Sequence, residues 1–185
     1  MKIKLKQIIL IGILAAITAV LSQISLRIPV SPVPITMQFV AVFLAGLLLG
    51  PKSGALSQVV YLLLGVTGLP VFANFEAGPG VFLSAKGGFL ISFPIMAFII
   101  GLIVEAAGGK KEAPTPAIAA ALLSGAAVCY ILGAAWISLI AKIPILKAVA
   151  VGVVPFVLID LVKVVLTAIV GKKLLSALAR AGVLK

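Results

Sequence analysis

Six apolar stretches divide this chain, and five of them hold no charged residue. Uncharged runs cover residues 7–26, 28–51, 53–75, 87–104 and 113–141, and a sixth stretch, 148–171, is interrupted only by Asp160 and Lys163. A helix needs about 20 predominantly apolar residues to cross the hydrocarbon core of a bilayer. Within lipid, only helices and closed barrels satisfy their own backbone hydrogen bonds. A soluble domain carries roughly 25% charged residues, whereas this chain carries 10%, with 63% hydrophobic residues and a mean hydropathy of +1.38. The pattern predicts an all-α integral membrane protein.

The breaks between stretches set the number of spans. Residues 7–26 form the first. The start, Met1-Lys-Ile-Lys-Leu-Lys-Gln7, has the charge of a signal-peptide n-region, but further spans follow and no small-residue cleavage site stands out, so a retained first helix is expected. Arg27–Pro34 has three prolines in eight residues and cannot continue it. Segments 36–50 and 54–68, joined by Gly50-Pro-Lys-Ser53, read as a tight hairpin of two short helices. Each is only about 22 Å long at helical rise. Residues 69–86 are broken by Gly and Pro yet contain Phe72, Phe75 and Phe82, so this loop is expected to fold back onto apolar surface. Residues 88–107, 116–140 and 148–171 give the remaining spans, with Pro155 in the early turns of the last. Residues 1–185 read as a single membrane-embedded domain without internal repeats.

Charge placement orients the bundle. With six spans, one side collects ten basic residues (Lys2, Lys4, Lys6, Lys52, Lys110, Lys111, Lys172, Lys173, Arg180 and Lys185) and the other four (Arg27, Lys86, Lys142 and Lys147). The excess marks the cytoplasmic side. Both termini are therefore expected in the cytoplasm, with loops 27–35 and 69–86 outside. The net charge of +11 comes from residues flanking apolar runs and forms no single stripe. It reads as topology signals and lipid headgroup contacts, with no nucleic acid as partner.

The missing residues narrow the function. There is no histidine, so His-based metalloprotease and Ser/His/Asp chemistries are excluded. No Gly-x-x-x-x-Gly-Lys-Ser/Thr loop is present to hydrolyse ATP. The lone Cys129 has no metal-ligating company and reads as a small core residue. With four acids in all, a proton relay would be short. No metal, cofactor or catalytic residue is expected; what remains is a site that binds.

The sharpest candidate for that site is Asp160-Leu-Val-Lys163. A charge at bilayer depth costs about 2.5–3.5 kcal/mol on insertion scales and marks function by default. Residues three apart share a helix face, so the two can neutralise each other and still meet a polar ligand. Loop 69–86 adds Asn74, Glu76 and Lys86 among aromatics, as a lid over 160–163. Gln38 and Gln58 are uncharged polar residues suited to lining a cavity. Tyr61, Tyr130 and Trp136 read as packing or interfacial residues. Ala15-x-x-x-Ala19 is a small-xxx-small pattern that permits close helix approach. From residues alone, three readings stand: a capture subunit for a small molecule, a self-sufficient secondary transporter of a small vitamin-like acid, and a non-catalytic membrane assembly protein.

Five segments together carry a resemblance. They are Pro32-Val-Pro-Ile-Thr-Met-Gln38, Leu44–Ser57 (LAGLLLGPKSGALS), Tyr61–Ala73 (YLLLGVTGLPVFA), Lys86–Pro94 (KGGFLISFP) and Asp160-Leu-Val-Lys163. Jointly they resemble the BioY family, the biotin-specific substrate-binding (S) components of energy-coupling factor (ECF) transporters, over nearly the whole chain. The resemblance implies a six-transmembrane-helix bundle in the prokaryotic cell (inner) membrane that binds biotin from outside, under extracellular loops. It implies Asp160, Lys163, Asn74 and Lys86 as ligand contacts, and Ala15 and Ala19 as the docking pattern. The implied partners are a coupling transmembrane subunit and two cytoplasmic ATPase subunits, with biotin as cargo. Some relatives have arginine where Lys86 stands; arginine grips a carboxylate in two-pronged fashion and lysine does not.

Overall fold

The computed structural model of the chain describes residues 5–109 and 113–181. Of the basic residues used above for orientation, Lys2, Lys4, Lys110, Lys111 and Lys185 lie outside the described residues. Loop 69–86 holds two short 3-10 turns, and seven α-helices are seen among the described residues. They are α1 (Leu5–Gln23), α2 (Gln38–Leu49), α3 (Pro51–Val66), α4 (Gly87–Ala106), α5 (Thr115–Ala141), α6 (Ile145–Gly152) and α7 (Val154–Arg180). Four of them, α1, α4, α5 and α7, are long and apolar enough to cross a membrane.

The shortest of the first five helices lies deepest. α2 is apolar nearly all round, and ten of its twelve residues are buried, as expected of a helix without a polar face. It packs against α1, α3, α4 and α7. Phe43, Val42, Ala45 and Leu47 on α2 are completely buried, with Met96 and Ile100 from α4 and Leu122 from α5. The outward faces of the long helices are aliphatic: Ile131, Leu139 and Leu158 are more than 60% exposed. Large aliphatic side chains exposed along every long helix suit a lipid surround.

Gly50 makes the expected hairpin between α2 and α3. Its φ of 81° is a conformation that side chains with a Cβ resist, and Pro51 starts α3 at a position where its missing N–H costs nothing. α1 ends at Gln23, three residues short of the expected span and ahead of Pro29, Pro32 and Pro34. The connection is then pinned by a feature that composition does not reveal, two-residue strands β1 (Ser25–Leu26) and β2 (Ile35–Thr36), antiparallel with Ser25 opposite Thr36.

Two expectations are revised. The stretch 148–171 is not one helix: it divides at Val153 into α6 and α7. Pro155 lacks an N–H and disfavours the helical conformation in the residue before it, so the chain restarts there. α7 then runs on to Arg180, past Lys172 and Lys173. In loop 69–86, Phe72 is 1% exposed and Phe82 packs partly buried on the core, but Phe75 is 71% exposed. Asn74 and Phe75 both take positive φ, 62° and 60°. That reversal directs the Phe75 side chain outward while its N–H bonds Gln23 Oε1 at 2.9 Å.

Candidate functional site

The helical spacing of Asp160 and Lys163 does what it predicts. The two side chains form an ion pair at 2.6 Å, each about 5% exposed as a residue. Other elements complete the pair. The Tyr130 hydroxyl on α5 donates to Asp160 Oδ2 at 2.6 Å. The Lys163 ammonium also donates to the Thr36 carbonyl on β2 at 2.7 Å and stands 5.8 Å from the centroid of the Phe39 ring, within cation–π range. Breaking a buried pair of this kind by removing one partner costs about 3–5 kcal/mol.

The inventory leaves capacity to spare. A carboxylate offers about four lone-pair sites and an ammonium three protons. Here Lys163 and Tyr130 occupy one site on each Asp160 oxygen, and Asp160 and Thr36 occupy two Lys163 protons. The remaining acceptor sites and proton suit a ligand group that carries N–H donors beside a carbonyl acceptor.

Asp160 and Lys163 line a cavity with Phe39, Phe89, Phe93 and Phe156, closed above by Phe72 and Val81. The cavity has a volume of about 50 Å³ and is partly open. A volume of this size holds one or two waters, so a larger ligand requires the lining side chains to move apart. Apolar walls with a few convergent polar groups are the usual make-up of small-molecule sites.

A buried chain of hydrogen bonds ties the ion pair to the covering loop. Thr36, whose carbonyl receives Lys163, donates through Oγ1 to Gln38 Oε1 at 3.0 Å. Gln38 Nε2 donates to the Tyr61 hydroxyl at 2.7 Å, and Tyr61 donates to the Val71 carbonyl at 3.1 Å. Ser22 donates to the same carbonyl at 2.6 Å, and Gln23 Nε2 to the Phe72 carbonyl at 3.1 Å. The end of α1 thus clamps the lid. The Phe72 ring stands edge-on to Tyr61 and Phe82, with centroids 5.6 and 5.7 Å away. It rests on Gly65, where an added Cβ would fall 2.0 Å from Phe72 Cζ.

Loops 27–35 and 69–86 meet above this lid in a second, polar cavity of about 320 Å³ lined by Arg27, Ser31, Asn74, Glu76 and Lys86. Lys86 borders both cavities and forms an ion pair with Glu76. Asn74 lines only the outer one, apart from Asp160 and Lys163; Ser25 donates to its Oδ1 at 3.2 Å, and its Nδ2 is buried with no partner.

Of the sequence candidates, the structure thus brings Asp160, Lys163 and Lys86 to one cavity and leaves Asn74 in the vestibule. Gln38 lines the inner cavity; Gln58 does not, being buried beside Thr18 and Ser57. Ala15 is 1% exposed and packed in the core, and Ala19 is half-buried; on the same helix it is Gly12 and Ala16 that are exposed. Sequence reasoning misses Tyr130, which reads as packing. Its link to Asp160, thirty positions away, depends on how α5 and α7 cross. It also misses the Thr36 carbonyl, since a backbone acceptor has no sequence signature.

Comparison with known proteins places these features in a lineage. The BioY family model matches residues 1–180. A biotin transporter BioY of Thermotoga maritima is 41% identical over 170 residues, covering 92% of this chain and 96% of that protein. A probable biotin transporter BioY of Pyrococcus horikoshii is 40% identical over 171 residues, covering 92% and 97%. The crystal structure of an S-component for biotin from an ECF-type ABC transporter superposes with a TM-score of 0.85 at 28% identity, over 91% of this chain and 90% of that one.

Proposed function

The chain belongs to the BioY family, and on that premise we propose that it is the biotin-capturing S component of an ECF-type transporter, a membrane protein and not an enzyme. One observation carries the reading: a buried carboxylate–ammonium pair with unused acceptor sites and one unused proton, in a largely apolar cavity that Lys86 also lines. Biotin has ureido N–H groups and a ureido carbonyl at one end, an apolar bicycle, and a carboxylate tail. Asp160 accepts from the ureido N–H groups, Lys163 donates to the ureido carbonyl, Phe39, Phe93 and Phe156 cover the ring, and Lys86 meets the carboxylate. Asn74, with its unpartnered Nδ2, joins the ligand when the lid shifts.

In this reading residues 1–185 are one substrate-binding domain in the prokaryotic cell membrane. The six spans are α1, α2, α3, α4, α5 and the α6–α7 pair, with both termini cytoplasmic and loops 27–35 and 69–86 outside. Asp160 lies six residues below the start of α7, about 9 Å along the helix, which suits a site in the outer half. The chain supplies recognition, and a coupling membrane subunit with two cytoplasmic ATPases supplies energy. Ala15 faces the core, so docking through α1 uses the outward side of that helix, with Ala19 at its edge.

Titration of the detergent-purified chain with labelled biotin tests the proposal. Saturable one-to-one binding is expected; no saturable binding at micromolar biotin overturns it. Proteoliposomes holding this chain alone are expected not to accumulate biotin without the ATPases.

A further inference from the structure

The Glu76–Lys86 ion pair stands where the inner cavity opens into the vestibule. Its two side chains are 33% and 18% exposed, so it is neither a free surface pair nor a sealed one. Lys86 borders both cavities, whereas Glu76 borders only the outer one. The lysine therefore faces whatever lies in the inner cavity, and a carboxylate of this chain already holds it from the other side. The surroundings can receive that carboxylate if it leaves. Arg27 lines the same vestibule, and it is exposed and without an ion-pair partner among the described residues. The segment bearing Glu76 is bent sharply: residues 74 and 75 take positive φ and Phe72 N–H bonds the Glu76 carbonyl at 3.0 Å. Glu76 is thus held by its backbone at the base of a tight turn, while its side chain reaches Lys86.

We propose that Glu76 is an internal stand-in for a ligand carboxylate, so that an acid ligand binds by exchanging with Glu76 on Lys86 while a neutral-tailed ligand leaves the Glu76–Lys86 pair in place. The idea rests on the biotin reading above and adds a specificity-determining residue to it. Electrostatics gives the reason. Seating a second carboxylate beside Lys86 with Glu76 still paired would set two anions against one ammonium; exchange keeps one anion on each cation, Lys86 and Arg27. Glu76 therefore weakens an acid ligand through competition and acts on a neutral one hardly at all.

The experiment measures equilibrium affinity for biotin and for biotin methyl ester on four full-length proteins: wild type, Glu76→Gln, Lys86→Met and the double variant. Removing the competitor is expected to tighten biotin about two- to fivefold, the scale of a partly exposed ion pair. The methyl ester is expected to change by less than about twofold. In the Lys86→Met background Glu76→Gln is expected to have no effect on biotin, which separates exchange at Lys86 from general repulsion of the anion. Equal weakening of both ligands by Glu76→Gln makes the pair a structural lid contact and overturns the proposal, as does unchanged biotin affinity. Tightening that persists without Lys86 also overturns it. Failure of wild type to bind biotin removes the biotin reading itself, an outcome distinct from each of these.

Discussion

Tyr130 and Asp160 meet across two helices: the tyrosine hydroxyl on α5 donates to Asp160 Oδ2 at 2.6 Å, opposite the oxygen that receives Lys163. Each carboxylate oxygen is thereby held from one side and left open on the other. A buried carboxylate fixed in this way presents its remaining lone pairs to the cavity without reorganising when a ligand arrives. Tyr130 is a positioning residue for Asp160, and its ring also lines the cavity.

Tyr130→Phe keeps the ring and removes the hydroxyl. A hydrogen bond to a charged group is worth about 1.5–3 kcal/mol, so biotin affinity is expected to fall about 10- to 100-fold. Isothermal titration in detergent reads this directly. An affinity within twofold of wild type would show that Lys163 alone orients the carboxylate.

Asp160→Asn and Lys163→Met each leave one half of the pair without its counter-charge. Each is expected to cost about 1–3 kcal/mol of ligand binding through a lost charge-assisted hydrogen bond. Since an uncompensated buried charge remains, each also lowers the thermal unfolding midpoint. The double variant removes both charges, so its unfolding midpoint is expected above that of the worse single variant, while binding does not recover. A purely structural pair predicts the reverse emphasis: loss of stability with ligand affinity intact in whatever protein remains folded.

Much of this site was legible in the sequence because it lies on one helix. Positions 160 and 163 share a face by the helix repeat alone, and a charge in an apolar run announces itself by its cost. The hairpin at Gly50 was equally legible, since Gly acts locally. Three features were not. The division of 148–171 at Val153 requires knowing that Pro155 breaks the helix and does not merely kink it, which neighbouring packing decides. The outward Phe75 follows from two consecutive positive φ angles that its residue type does not favour. The roles of Tyr130 and the Thr36 carbonyl arise from tertiary approach, and no spacing within one element encodes them.

Cys129 provides a reporter independent of ligand chemistry. It is fully buried on α5, where the Ser92 hydroxyl approaches its sulfur at 2.8 Å. A buried thiol is inert compared with an exposed one. A thiol-reactive maleimide is therefore expected to leave the folded protein unlabelled at room temperature and to react as the bundle opens on heating. Biotin is expected to move that labelling transition upward, because ligand binding to the native state stabilises it. Rapid labelling of the folded protein would show that α4 and α5 separate locally far below global unfolding.

Gly65→Ala tests whether the seat of Phe72 governs the lid. A Cβ at position 65 would lie 2.0 Å from Phe72 Cζ and 2.4 Å from Cε2, so the ring must move. It has little room, since Tyr61 and Phe82 flank it edge-on. Overpacking of this kind costs about 1–3 kcal/mol, and the strain falls on the loop that covers the cavity. Ligand dissociation is expected to accelerate about tenfold for each 1.4 kcal/mol by which the closed lid is destabilised, with association changed less. Phe72→Leu in the Gly65→Ala background removes the overlapping ring atoms and is expected to restore part of the lost residence time. Stopped-flow dissociation of labelled biotin measures both variants; unchanged dissociation in Gly65→Ala would place the barrier to ligand release at the Glu76–Lys86 pair and not at Phe72.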